Sequence, residues 1–178
     1  VLVHCVSVYP CPSEILNLAT IEYFQKRYDL PIGFSSHSLE WKSSVAAANL
    51  GAVVLEKHFT FDRDFWGSDH KSSLLPHEFK AMVESLNRGD KVDSAKYYGN
   101  FEKSLQAREE EFRPFFRKSL VAGADIIAGT RITKEMIYAM RPQAYIKGLS
   151  SERYEEVVGK VVNKDLKKYQ PFTIDILE

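Results

Sequence analysis

The twenty residues GAVVLEKHFTFDRDFWGSDH, positions 51–70, decide how this chain is read. Ala52, Val53, Val54 and Leu55 form an apolar run too short for a helix, which reads as a buried strand. The run ends in Glu56, Lys57 and His58. Three ionisable groups in a row are costly to bury, so they belong at a wet or functional rim where the strand stops. Positions 61–70 then mix Asp62, Arg63, Asp64, Gly67, Asp69 and His70 with Phe65 and Trp66, a loop with chemistry in it. On spacing alone an ordinary strand and polar loop account for the same residues, since one histidine at a strand end is weak evidence.

Two similar units precede it. Positions 1–7, VLVHCVS, are apolar and β-branched and predict a buried parallel strand, stopped by Pro10 and Pro12. Ser13 and Glu14 read as a helix start, with Ile15, Leu16, Leu18, Ile21 and Phe24 at helical spacing. Positions 32–35 form a second short strand ending at Ser36, His37 and Ser38, and an alanine-rich helix follows over 41–50. After the third strand, Pro76 opens a helix with Phe79, Met82, Val83 and Leu86 on one face. Three strand–helix units predict an α/β fold whose functional groups gather at the C-terminal ends of parallel strands. His4 lies inside its strand and reads as a core or bottom-face histidine. Three units cannot close a barrel that needs eight. Either the remainder is supplied upstream or the units form a small open sheet.

The 178 residues suffice for one domain and a small second one, and 44% hydrophobic content allows a sizeable core. Lys+Arg and Asp+Glu are each 24, so bulk charge points to neither a nucleic acid nor a membrane partner. No apolar run is long enough to span a bilayer, and no signal peptide is evident. Cys5 and Cys11 make no disulfide framework; Cys5 reads as a small core hydrophobe, and a reducing cytoplasm is the natural expectation. The chain opens Val-Leu-Val without Met, as a processed or incomplete chain would.

Positions 1–88 thus read as one domain, 89–116 as a linker and 117–178 as a second domain. In the linker, positions 102–111 are charge-rich and helical in propensity, which predicts a solvated helix face ended by Pro114. As flexible chain the linker would have a root-mean-square span of about 30 Å. The second domain has short β-rich pieces at Leu120, Val121, Ile126, Ile127, Ile132 and Ile137, further strands at 159–162 and 172–176, and a helical turn or two at 151–158.

The motifs LEKHFT and GSDH, with HCVSVYP at positions 4–10 and GFSSHS at 33–38, resemble the sialic acid synthase family. The stretch RKSLVAGADIIAGTRIT at 117–133 is similar to the start of that family's small antifreeze-like (SAF) domain. The resemblance covers nearly the whole chain, in order, and matches the second half of such an enzyme. It implies strands six to eight of a TIM (β/α)8 barrel followed by a SAF domain. It implies condensation of phosphoenolpyruvate with an N-acetylated amino sugar to a nonulosonic acid, in a domain-swapped homodimer, with this fragment inactive alone. A non-catalytic carbohydrate-binding or assembly protein that keeps the SAF domain is the rival reading. A synthase using a sugar phosphate would need a strongly basic second phosphate site, which the sequence lacks.

The resemblance also implies roles. His37 and His58 match metal histidines, and the ion the family implies is manganese or magnesium; neutral imidazole suits Mn, Fe, Zn and similar ions, and two histidines leave coordination positions open. Asp69 matches an aspartate near sugar and metal, able to hold hydroxyls or relay a proton; an Asp in a polar turn is the plain alternative. Tyr9 and Ser7 end the first strand, Ser7 standing where bacterial members often carry Asn. Ser35 matches a phosphate-binding serine, Lys57 stands where Arg or Lys is usual, and Arg141 matches a sugar-binding arginine of the SAF domain. Ser36 departs from a frequent Asp, and Gln143-Ala144-Tyr145-Ile146-Lys147-Gly148 replaces a Gly-rich continuation, which fits a loop shaped for a different sugar.

Overall fold

The computed structural model describes residues 1–178 apart from the side chain of Ala107. The chain divides into two compact units, Val1–Glu109 and Glu110–Glu178. The first is built on a three-stranded parallel sheet in the order β1 (Leu2–Cys5), β2 (Ile32–Ser36), β3 (Val54–Lys57). Helix α1 (Ala19–Arg27) links β1 to β2, α2 (Lys42–Asn49) links β2 to β3, and α3 (Pro76–Arg88) follows the long loop after β3. The ladder aligns His4, Phe34 and Leu55 in one row and Cys5, Ser35 and Glu56 in the next. Gly33 is required in the central strand: a Cβ there would stand 3.1 Å from the Val54 carbonyl oxygen and 3.2 Å from a Val3 methyl.

Side chains alternate across the sheet, so the rows face opposite ways. The His4–Phe34–Leu55 face packs with α1 and α2 into a core of Val6, Leu16, Leu18, Ile21, Ile32, Phe34, Ala46 and Ala47. On the other face Val3 and Val54 are exposed, and Val53, just before β3, is exposed too, so the run read as a buried strand is only half covered here. Pairing is parallel throughout and β3 bonds only to β2 within the described sheet, which leaves its outer side open.

Three expectations need correcting. The helix after β1 does not start at Ser13: Ser13–Ile15 form one 3-10 turn, and Asn17 turns left-handed at φ 51° before α1 begins. Asn tolerates that region because its side chain can bond locally. Here Asn17 Nδ2 donates to the Ile15 carbonyl, and Asn17 Oδ1 accepts the Asn100 N–H at 2.8 Å. Second, the connector does not run free of the first unit. In α4 (Ala95–Tyr98), Tyr97 is buried in the core and its carbonyl accepts the Leu18 N–H. In α5 (Ala107–Phe116), Glu109 is only 6% exposed, and Pro114 lies within the helix rather than ending it. Third, among the described residues the second unit holds just two paired strands, β4 (Ser119–Ala122) and antiparallel β5 (Ile137–Met140). Val161 and Val162 make isolated bridges instead of a strand, to Arg131 and Leu177, and 172–176 forms no bridge itself, the bridges falling at the flanking Pro171 and Leu177 among the described residues. Leu120, Ile126, Ile132, Val162, Leu166, Phe172 and Ile176 close that unit's core, while Ile127 is exposed.

His4 is fully buried, stacked on Phe34 at 5.8 Å, with Nε2 2.8 Å from the Leu16 carbonyl oxygen. Burial drives its pKa down to about 4, so the folded ring is neutral. The unfolded chain binds that proton from about pH 6.5 downward and the folded one only near pH 4, so folding stability falls as pH drops through this window. At one pKa unit per 1.36 kcal/mol the loss reaches about 2 kcal/mol by pH 5. Urea denaturation at pH 7 and pH 5 checks this: His4→Gln should flatten the acid-side fall, and an unchanged slope would contradict it.

Candidate active site

The ladder ends at Cys5–Ser35–Glu56 and Ser36–Lys57. Two residues further along each chain stand Ser7, His37 and His58, at one level and on one face by the period of two. The structure brings the imidazoles together: the His37 and His58 rings are 5.3 Å apart, centre to centre. Tyr9 joins them, its ring 4.1 Å from His37 and 6.3 Å from His58.

His37 is held from behind. Its Nδ1 lies 3.0 Å from the Val6 carbonyl oxygen, an acceptor, so Nδ1 carries the proton and Nε2 keeps its lone pair. Burial lowers the His37 pKa, the Val6 bond opposing and neighbouring His58 adding to the shift, which favours the neutral, ligating form. Cys5 Sγ lies 3.9 Å from both His37 Nδ1 and Ser7 Oγ, so it borders the site instead of serving only as core filler. Burial raises its pKa, which keeps it a thiol. Burial likewise raises the Tyr9 phenol, helped by Cys5, Asp69, Glu56 and Glu109, so Tyr9 is a proton donor at neutral pH.

Tested as a metal centre, the chain supplies two imidazole donors, a set that suits a borderline divalent cation. Among the described residues no cluster of three or more His, Cys, Asp or Glu side chains is close enough to hold an ion. The donor set fits a partly protein-bound ion with open positions, not a closed structural site.

The remaining candidates divide. Ser35 Oγ donates to Glu56 Oε1 at 2.7 Å, so a phosphate bound there would have to displace a carboxylate. Asp69 is exposed on the 61–70 loop, accepts the Ser68 hydroxyl, and its carbonyl accepts the Ser73 hydroxyl at 2.7 Å. Arg141 lies in the second unit, exposed just after β5 and before a cis bond to Pro142.

Glu56 and Lys57 lie at the rim that the sequence assigns them, with partners it does not show, whereas Glu109 and Lys103 escape the sequence reading. Glu56 engages Ser35, as above. Lys57 is half-buried and burial lowers its pKa to about 8. Glu109 accepts the Ser7 N–H at 2.8 Å and the Gln106 N–H at 2.9 Å, while Lys103 Nζ donates to the Cys5 carbonyl. Lys103 and Glu109 therefore clamp the end of β1. Their signal was hidden because a charge run ordinarily marks a solvated face.

Comparison with known proteins matches the NeuB family to residues 1–98 and a SAF domain to residues 117–178. The chain belongs to the NeuB family. Among its NeuB-family relatives, N,N'-diacetyllegionaminic acid synthase of Campylobacter jejuni is 35% identical over 167 residues, covering 94% of this chain and 48% of that protein. Human N-acetylneuraminate-9-phosphate synthase is 37% identical over 159 residues, 89% of this chain and 42% of the relative. The crystal structure of the Bacillus subtilis spore coat polysaccharide biosynthesis protein SpsE superposes with a TM-score of 0.77 at 32% identity, covering 99% of this chain and 52% of that one. The chain thus spans about half the length of these relatives.

Removing the Glu109 carboxylate leaves two N–H groups without their acceptor. Glu109→Ala should destabilise the first unit by about 1–3 kcal/mol in urea denaturation, and Glu109→Gln, which keeps an acceptor oxygen, by less. Equal, negligible losses for both would show that the clamp carries no stability.

Proposed function

We propose that the protein carrying this chain condenses phosphoenolpyruvate with an N-acetylated amino sugar to give a sialic-type nonulosonic acid, releasing phosphate. The observation that carries the reading is the pair of imidazoles at matching strand ends in a chain of the NeuB family. In this reading the first unit supplies strands six to eight of a (β/α)8 barrel and the second is the SAF domain. Its relatives are named for sialic, legionaminic and pseudaminic acid synthesis, which supports the product class.

His37 and His58 would hold a divalent cation, manganese or magnesium, whose chemistry when bound is Lewis-acid polarisation of a carbonyl oxygen. In the reaction the enol carbon of phosphoenolpyruvate bonds to the sugar aldehyde carbon. Water then adds to the resulting cationic carbon and phosphate leaves. The Tyr9 phenol, held protonated, can give a proton to the developing alkoxide, and Asp69 can hold sugar hydroxyls or accept a proton. The Ser7 and Ser35 hydroxyls contribute substrate hydrogen bonds. Arg141 offers the planar fork of donors that N-acetyl and hydroxyl oxygens accept, in a domain-swapped homodimer where it serves a neighbouring barrel. Such chemistry belongs to the cytoplasm, where phosphoenolpyruvate is made.

Phosphate release and product mass, measured with manganese, phosphoenolpyruvate and a panel of amino sugars, test this on the full-length protein. N-acetylmannosamine or a 6-deoxy diacetamido sugar should be consumed one-for-one with phosphate. His37→Ala and His58→Ala should each cut turnover at least about 100-fold with the fold intact. Normal turnover in either variant would misplace the site. Arg141→Ala should lose sugar affinity while phosphoenolpyruvate affinity stays. Mixing Arg141→Ala with His58→Ala subunits should restore activity if Arg141 works across the dimer; confirmed mixed dimers without recovery would contradict that.

A further inference from the structure

Lys57 is a cation that the proposed reaction leaves unused. It forms the last ladder pair of the sheet, opposite Ser36, and is the chain neighbour of His58. Its ammonium donates to Ser36 Oγ at 3.0 Å and to the Ser38 carbonyl oxygen. Those two acceptors flank His37 on either side. Among the ion pairs of the described residues Lys57 takes part in none, so its charge is met by the oxygens of this turn. Ser36 Oγ lies 3.4 Å from Ser43 Oγ, and Ser43 donates to the Glu40 carbonyl at 2.7 Å, which ties the turn to the start of α2.

His37 and His58 are the first residues past the last paired ones, where ladder bonds no longer fix direction. We propose that Lys57 is a positioning residue that holds the His37 and His58 strand ends in one geometry. One side chain reaches across from the His58 strand and grips both neighbours of His37, so the two histidines cannot drift apart independently. The inference rests on the reading of these imidazoles as a divalent-cation site. Groups that orient ligands from behind a metal typically alter affinity by about 10–100-fold when removed.

The test uses two readouts on the full-length protein. In the metal-free protein, long-range 1H–15N spectra of the imidazoles should show His37 in a single tautomer protonated at Nδ1. Lys57→Met should average the His37 tautomers, and Lys57→Arg, which can reach the same acceptors, should keep the single form. Manganese titration followed by electron paramagnetic resonance should then give a dissociation constant about 10–100-fold weaker for Lys57→Met and within a few-fold of wild type for Lys57→Arg. Ser36→Ala, a small change that removes one acceptor, should weaken manganese binding measurably and covers the case in which Lys57→Met does not fold. A merely structural lysine would lower the melting temperature and leave both readouts alone, and that result overturns the proposal. If wild type binds no manganese, the metal reading fails, while the tautomer spectra still decide the positioning role.

Discussion

The parallel ladder of β1, β2 and β3 is the constraint on which the rest of the first unit depends. Backbone pairing puts Cys5, Ser35 and Glu56 in one row. A further two residues bring Ser7, His37 and His58 to one level on the same face. A one-residue slip of β3 would turn His58 toward the helix side and aim Lys57 at His37. That slip is resisted from the other face, where His4, Phe34 and Leu55 must meet α1 and α2. The same alternation that builds the core therefore builds the rim.

Holding the rim takes more than the ladder, because the candidate site residues Ser7, His37 and His58 lie past its last pairs. Each strand end has its own tether. Glu109 and Lys103 hold the end of β1 at Ser7 N–H and the Cys5 carbonyl. Val6 holds the His37 ring, and Lys57 holds the turn around it. Glu56 holds the Ser35 hydroxyl. Glu109 and His37 are buried and Lys57 is half-buried, so their contacts matter more than surface equivalents would, while Glu56 and Lys103 stay exposed. The charges face oxygens or N–H groups, which offsets the cost of burying them.

Much of this was legible in the sequence because it follows from periodicity. Short apolar runs ending in His37 and His58, separated by helical patterns, predict parallel strands with a shared rim. The HCVSVYP and LEKHFT motifs single out rim residues that the structure brings together, His37 excepted, which GFSSHS supplies. What could not be read depends on contacts between residues distant in the chain. Glu109 lies 102 positions from Ser7, and nothing local separates it from the solvated Glu110 and Glu111. Asn17 interrupts a good helical pattern because residues 97–100 pack against it. In the second unit, the apolar residues at 159–162 and 172–176 look like strands. Val161 and Val162 make single bridges instead, and the turn at Ile174–Ile176 leaves pairing only to the flanking Pro171 and Leu177, since short turns here and at Gly159 reverse the chain too soon for longer pairing.

The central claim is that strand register assembles a two-histidine cation site. Anomalous diffraction at the manganese absorption edge, from crystals of the full-length protein grown with manganese, tests it most directly. The account predicts one peak within bonding distance of both the His37 and His58 imidazoles, lost in crystals of His58→Ala. A peak bonded to only one of them, or manganese bound elsewhere with both rings bare, would contradict it.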